Sequence, residues 1–510
     1  MVIVTFARPL VAVAATSLLL WTLAAGPARA EEEEERGVTY SLGANLHITL
    51  SLDAALAAFS ATNTNFGIGT TSLTPDGARK GTRRWGEGFV KPQLGLLYNI
   101  GDEEGGFLYS KLSAIGATTQ GDGDALNPSA TANRPSKLAV EDAAFGWQSG
   151  FMFEALGDNA FDLSYGRQSF TVGDSFLIAD GTQDGVRRAA TYLGPRTAFD
   201  QAGILRINTS PVRADLFHLR SAVDQGLMLQ QDNADTKLWG GNIEWFESSE
   251  KDRGRLQYEA RKRYVGATFV NAYSADSSGG RDFSFADGGN GSHMSANRDG
   301  LRIYALRFGG TVVPTIEDFA LYGEYGIQRN DRTNRRVRAN AWYIQPQYTL
   351  STLPWSPRIS YRYAHFSGDG NPNDTTDKSW DQFFTATGAR GIGTWSQGEI
   401  YSQWTGLGNS NLNAHQIHLR TAPIEDTLNI GVVLYRFDYD KPGQTPGVTR
   451  KGIMDEIDIY AEWSTPITGL SIVPTIGAGI PRSGLRQALG NSDANDRTFW
   501  LVEVVAAFKF

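Results

Sequence analysis

Apolar and polar residues alternate with a period of two along most of this chain, in runs of about ten residues separated by turn-forming clusters. Links between the runs are alternately short and long. The short ones include Gly101–Gly105, Thr209–Pro211, Glu247–Arg253, Val313–Asp318, Thr352–Ser356, Pro423–Asp426 and Thr465–Gly469, most of them carrying Gly, Pro, Asp or Ser. The long ones, near 117–137, 172–201, 271–299, 367–413, 440–453 and 481–496, are rich in Gly, Asn, Asp, Ser and Thr. Strands are then expected to start near residues 37, 85, 106, 138, 160, 202, 212, 236 and 254, and again near 300, 318, 339, 357, 413, 427, 454, 470 and 498. That makes about eighteen, an even number, as bacterial up-and-down barrels require. A further strand-like run, Trp395–Trp404, breaks the parity if it spans, and is assigned to the 367–413 link, folded over or into the pore.

The two ends place the barrel in a membrane. Residues 1–30 hold an apolar run, Val11–Leu23, after Arg8 and before an Ala28-Arg29-Ala30 exit, the form of a cleaved secretory signal peptide. The mature part, 31–510, would begin at Glu31. No later segment is long and apolar enough for a spanning helix, so an exported chain of this kind enters a membrane as a closed barrel. At the other end Trp500, Val502, Val504, Ala506, Phe508 and Phe510 share one face, and Arg497, Glu503 and Lys509 the other. A strand with such a face, closed by a terminal Phe, resembles the signal read by the barrel-insertion machinery. The expected fold is therefore an all-β transmembrane antiparallel barrel of the Gram-negative outer membrane. It has short periplasmic turns and long extracellular loops, and lipid and lipopolysaccharide surround it. A soluble secreted β-sandwich array shares much of the composition, and the C-terminal strand argues against it. The 57 glycines and the 57 aromatic side chains (19 Tyr, 26 Phe, 12 Trp) suit turns and interfacial girdles. The chain has no cysteine, which removes disulfides and thiol chemistry.

Barrels of 16 to 18 strands leave an aqueous channel, so the polar faces are candidates for the pore lining. Arg255, Gln257, Glu259, Arg261 and Arg263 alternate with Leu256, Tyr258, Ala260 and Tyr264. Arg358, Ser360 and Arg362 alternate with Ile359, Tyr361 and Tyr363, and Gln416, His418 and Arg420 with Ile417 and Leu419. Acids face inward too, with Glu456, Asp458 and Glu462 opposite Ile457, Ile459, Ala461 and Trp463. Two readings stay open: a cross-barrel ion-pair network, or an anion-selective constriction built from guanidinium forks. The formal charge of -8 argues against nucleic acid as a partner, and the Glu31–Glu35 run reads as a solvated tail.

From Tyr361 to Tyr439 the chain reads YRYAHFSGDGNP, WDQFF, GTWSQGE, NSNLNAHQIHLR and LYRFDYD. This resembles the alginate-export family of outer-membrane barrels. Tyr165-Gly166-Arg167-Gln168 followed by Asp184-Gly185-Val186-Arg187 is similar to that family's earlier GRQ strand and arginine-bearing return. The resemblance implies an 18-stranded pore that exports an anionic polyuronate through an arginine-rich constriction, with Arg167 and Arg187 as pore candidates and periplasmic polysaccharide-export components as partners. The 271–299 insertion and the mixed-sign lumen depart from that pattern.

No catalytic constellation stands out. There is no G-x-S-x-G elbow and no H-E-x-x-H helix, and the six histidines, His47, His218, His293, His365, His415 and His418, are scattered. Glu456 and Asp458 could serve acid/base chemistry, but salt bridging in the lumen is the simpler use. The Asp369–Asp374 cluster lacks the calcium-loop pattern, so no metal site is expected. Passive flux needs no cofactor, and none is expected. Three functions remain: a polysaccharide exporter, a porin for small anionic or neutral solutes, and a barrel enzyme acting on envelope polymers.

Overall fold

The computed structural model describes residues 37–67, 81–101, 105–126, 131–179, 181, 189–221, 236–248, 261–275, 298–333, 335–371, 373–385, 392, 394–405, 407–490 and 496–510. The expected signal peptide lies outside them. In chain order the strands are β1 (Val38–Leu42), β2 (Leu46–Thr62), β3 (Thr82–Asn99), β4 (Phe107–Gly121), β5 (Ser136–Gln148), β6 (Phe161–Gln168), β7 (Phe199–Asn208), β8 (Val212–Arg220), β9 (Thr236–Ser248) and β10 (Arg261–Ala275). They continue with β11 (Arg302–Gly310), β12 (Phe319–Asn330), β13 (Arg336–Thr349), β14 (Arg358–Phe366), β15 (Thr376–Asp377), β16 (Leu412–Ile424), β17 (Leu428–Tyr439), β18 (Gly452–Ser464), β19 (Leu470–Pro481) and β20 (Phe499–Lys509).

Each long strand pairs antiparallel with its neighbours, and β2 pairs with both β3 and β20, closing the ring. Leaving out the five-residue β1 and the two-residue β15, eighteen strands form the wall. The observed starts lie within a few residues of those expected, with two exceptions. The first spanning strand, β2, begins at Leu46 rather than near 37, and the ninth, β10, is described from Arg261. The first shift has a local cause. Just past β20, Phe510 exchanges two 2.9 Å backbone hydrogen bonds with Leu52, and below Leu52 the edge of β2 is met by β1 instead of β20. Residues 38–42 turn back and pair with 46–50, covering what would be an open edge.

The outward face carries the lipid band. Leu56, Val90, Leu112, Leu163, Leu216, Ile243, Leu306, Ile459, Ile476 and Val502 are all exposed there. Aromatic side chains mark its two borders: Tyr98, Trp245, Tyr348, Trp463 and Phe510 on the side of the short turns, and Trp239, Tyr273, Tyr304 and Trp500 on the side of the long loops. On β20 the alternation is as the sequence implies, with Trp500, Val502 and Val504 exposed and Leu501, Glu503 and Val505 buried.

The inward face is more apolar than a water-filled pore would be. In the outer half of the barrel Ala55, Ala57, Phe59 and Ala61 of β2, Trp85 and Phe89 of β3, Ile115 and Ala117 of β4, and Val270 and Ala272 of β10 all point inward and are buried. Something inside must cover them.

Leu56 sits midway along β2 and is 69% exposed. Leu56→Arg should cost about 2–4 kcal/mol in lipid vesicles, the depth-dependent cost of a cation near the bilayer midplane. Urea unfolding of the membrane-inserted chain measures it, and an unchanged midpoint would mean this face is not in lipid.

Candidate functional site

Two extracellular loops fill the upper lumen. One joins β6 to β7 and the other joins β14 to β16. They zip to each other, Ala179 N–H donating to Phe384 O at 2.8 Å and Phe384 N–H to Leu177 O at 3.0 Å. Their aromatics complete a core with the wall. Phe176 packs against Tyr343, Phe366, Trp380 and Trp395, while Tyr192 and Trp404 stack on each other beside Phe59 and Trp85. Tyr401 lies flat on Phe437 with ring centroids 3.9 Å apart. The Trp395–Trp404 run therefore folds into the barrel, with a five-residue π-helical turn at Gly398–Ser402.

Lumenal carboxylates hold these loops by accepting their backbone N–H groups. Glu456 accepts from Ile400 at 2.6 Å and Tyr401 at 3.0 Å, Asp458 from Glu399 at 3.3 Å, and Glu87 from Tyr192 at 2.9 Å and Leu193 at 3.2 Å. Glu141 accepts from Thr197 and Ala198 at 2.7 and 2.8 Å. The Tyr192 hydroxyl donates at 2.6 Å to Glu503 and lies 3.2 Å from Glu399. Such charge-assisted bonds replace water that the buried carboxylates and amides would otherwise lose. Burial, with Glu503, Asp458 and Glu456 close by, holds the Glu399 carboxyl well above the ordinary carboxylate range. Ion pairs add to this: Arg307 of β11 meets Glu244 of β9 at 2.6 Å inside the wall, and Arg298, just before β11, forks onto Asp381 of the β14–β16 loop at 2.6 and 2.8 Å.

A polar cavity of about 220 Å³ remains against β12, β13, β14 and β16. Arg358, Ser360 and Arg362 of β14, Gln416, His418 and Arg420 of β16, Gln345 and Gln347 of β13, Tyr322 of β12, and loop residues Ile392 and Thr394 line it. Cross-strand register sets Arg358 opposite Arg420 and Arg362 opposite Gln416. Arg362 is buried, its guanidinium 4.8 Å from the centre of the Trp395 ring and 3.3 Å from Gln397 Oε1. Arg420 pairs with Glu462 at 2.8 Å, and His418 Nε2 lies 2.7 Å from the Tyr460 hydroxyl. The cavity thus has three arginines in its lining, Arg362 lying against Trp395 and Arg420 paired with Glu462, while the acids bonded to the inserted loops are engaged with loop amides.

Three of the expected pore arginines, Arg358, Arg362 and Arg420, converge here. Arg263 does not. The β9–β10 ladder shifts register between Arg261 and Arg263, and past that irregularity Tyr264 points inward and is buried, while Arg263 shares the outward face with Val265 and pairs with Glu247 at 2.7 Å. A local bulge of this kind reverses the faces. Arg167 lies at the top of β6, near a second register shift, between Glu141 at 3.6 Å and Asp200 at 3.3 Å. Arg255 and Arg187 lie outside the described residues, and Arg261 is described only as backbone, opposite Ser248. The Asp369–Asp374 cluster encloses the Arg335 guanidinium. Gln345 and Gln347 were missed, although their alternation with Ile344 and Pro346 places them on the inward face.

Glu456→Ala removes the acceptor of two buried amides, at about 1–3 kcal/mol each. Hydrogen exchange at Ile400 and Tyr401 should accelerate by tenfold or more, roughly, and unchanged protection would show that the loop is held by its aromatics alone. A carboxyl held neutral in the fold supports it below the ordinary titration range and loses that contribution as pH rises through its elevated value. Current noise in bilayers should therefore grow as pH rises above the ordinary carboxylate range, and Glu399→Gln should flatten that dependence.

No curated protein matches the chain in sequence. Among solved structures, Pseudomonas aeruginosa OccK5 (OpdH) is 8% identical, with 90% of this chain and 98% of that one covered at a TM-score of 0.49. OpdQ of the same organism is 9% identical over 91% and 98% at 0.49, and OpdK, solved with vanillate, 10% over 90% and 98% at 0.48. The profile described as alginate export matches residues 140–445, more than half of the chain. With that match and its closed 18-strand wall, the protein is an outer-membrane β-barrel channel that belongs to the alginate export family.

Proposed function

We propose that this channel passes hydrophilic anionic cargo by diffusion, with an acidic exopolysaccharide such as alginate as its passenger. The observation that carries the reading is the division of charge in the lumen. Glu87, Glu456, Asp458 and Glu503 are bonded to the inserted loops, whereas Arg358, Arg362 and Arg420 line the polar cavity, where Glu462 balances Arg420 and Arg362 lies against Trp395. Guanidinium forks match the planar carboxylates of a polyuronate, and in a narrow low-dielectric passage a few of them are enough to favour anions. Glutamines 345, 347 and 416 add neutral donors and acceptors for sugar hydroxyls. The family's description supports the same cargo class. Periplasmic polysaccharide-export components would then feed the polymer, the pore itself supplying no direction and no catalytic step.

A second reading, entry of small anionic or neutral solutes, is favoured by the two loops packed inside the barrel, because a passage narrowed in this way suits a short solute. Planar bilayers distinguish the two. Under a salt gradient the reversal potential should report anion preference, and oligouronates should block current more strongly than neutral oligosaccharides. Replacing Arg358, Arg362 and Arg420 together by Gln should abolish the preference and weaken block by roughly tenfold or more. Heat-modifiable migration on gels checks that the variant is folded. Equal block by neutral sugars would make the chain a general porin.

A further inference from the structure

On the outward wall, at the end bearing the long loops, three arginines stand side by side on adjacent strands. Arg302 of β11 is in direct register with Arg329 of β12, and Arg329 with Arg338 of β13. Alternation along each strand puts all three on the outward face. Inward neighbours Ile303, Gln328, Val337 and Ala339 are buried, while Tyr304, Leu306 and Tyr325, two or four residues from the row, are exposed to the lipid side. Directly opposed like charges on neighbouring strands destabilise a sheet, so a row of three needs anions at that spot. Among the described residues Asp331 meets the row, hydrogen-bonded by Arg338 and 3.5 Å from Arg302. The Arg338 hydrogen bond, with Arg302 and Arg336 adding charge, keeps the Asp331 carboxyl below its ordinary range and so ionised. One carboxylate against three guanidinium groups leaves the patch cationic. The arginines are also held against the rim. Arg329 Nη1 donates to the carbonyls of Gln328 at 2.9 Å and Ala339 at 3.3 Å, and Arg338 Nη1 to that of Val337 at 2.7 Å.

What lies beneath the row is mostly apolar, Asn340 being the exception. The same register continues inward from the rim as Tyr304, Ile327 and Asn340, then as Leu306, Tyr325 and Trp342, each step about 7 Å along the strands. From Tyr325 and Tyr304 an apolar groove of about 660 Å³ runs sideways past Phe269 and Ile243, with the small residues Ala267 and Gly241 among those lining it. A cationic, fork-bearing shelf at the extracellular border, with an apolar trough immediately below it in the lipid band, matches a molecule that is phosphorylated at one end and acylated at the other. We propose that the outward face from β8 to β13 binds a phosphorylated glycolipid of the outer leaflet, of the lipopolysaccharide class, its phosphates on Arg302, Arg329 and Arg338 of β11, β12 and β13 and an acyl chain in the groove over β8 to β12. Arginine suits this role because its planar fork pairs bidentately with phosphate oxygens. The site is separate from the pore and stands whatever the cargo.

The test uses the full purified barrel in detergent micelles, titrated with a diphosphorylated diglucosamine lipid, with its dephosphorylated counterpart and with inorganic phosphate. Native mass spectrometry reads bound lipid and a thermal melt reads stabilisation. The diphosphorylated lipid should bind and raise the melting temperature, and the other two should do so far less. The triple variant Arg302→Gln, Arg329→Gln, Arg338→Gln should weaken binding by roughly tenfold or more. Ala267→Trp, which fills the groove and leaves the arginines in place, should weaken it independently, and bilayer conductance should stay unchanged in both. Equal binding of the dephosphorylated lipid, equal stabilisation by inorganic phosphate, or undiminished binding by the triple variant would each overturn the proposal.

Discussion

Lipid offers the peptide backbone no hydrogen-bond partner, and the rest of this structure follows from the need to pair every strand. The ring closes where β20 meets β2, and the closure is staggered, because that ladder stops at Leu52 while β2 continues toward the short-turn side. The resulting edge is covered by β1. A short N-terminal strand that looks like an irregular start to the barrel is thus the piece that completes it. Once closed, the wall assigns every residue to lipid or lumen by parity, and that assignment decides where each charge on the strands can act.

The lumen then meets a second constraint. Its outer half presents Ala55, Phe59, Trp85, Ile115 and Val270 inward, an apolar surface that water would not stabilise. The β6–β7 and β14–β16 loops supply the missing side of that core, and their backbone amides need acceptors once they leave water. Glu87, Glu456 and Asp458 provide them. Apolar burial draws the loops in and the carboxylates fix their path. The aromatic stack of Tyr401 on Phe437 and the Tyr192–Trp404 pair set the depth.

Much of the wall was legible in the sequence because barrel strands obey a local rule. The alternation of Trp500, Val502 and Val504 against Glu503 needs no knowledge of the partner strand, and turn residues at Thr465–Gly469 announce the reversal by themselves. The parity argument also removed Trp395–Trp404 from the wall correctly. Reading failed where the rule is interrupted or the cause is distant. The register shift at Arg261–Arg263 turns Arg263 outward, and no residue type in that stretch signals it. The apolar inward face of β2 is visible as Ala55, Ala57, Phe59 and Ala61. Its partners, Tyr192 and Trp404, are more than a hundred residues away; the link holding Tyr192 reads as a polar loop, and the run ending at Trp404 reads as folded over or into the pore without a partner to pack on. Gln345 and Gln347 escaped because uncharged polar residues give a weaker lumenal signal than arginines do.

The inserted loops also bear on how a chain with a formal charge of -8 could favour anions. Net charge governs long-range potential, which salt screens within about 8 Å at physiological ionic strength. Selection in a narrow passage depends on the few groups that a passing ion meets without intervening water. Here the loops sort those groups. By taking Glu456, Asp458 and Glu87 as hydrogen-bond acceptors they bury the carboxylates behind protein, while Arg358 and Arg420 of the wall line a polar cavity that the loop residues Ile392 and Thr394 complete. The same residues placed in an empty barrel would give a lumen of mixed sign. Selectivity in this architecture is therefore a property of loop insertion as much as of pore-lining sequence, and two relatives with identical wall strands and different inward loops would differ in what they pass.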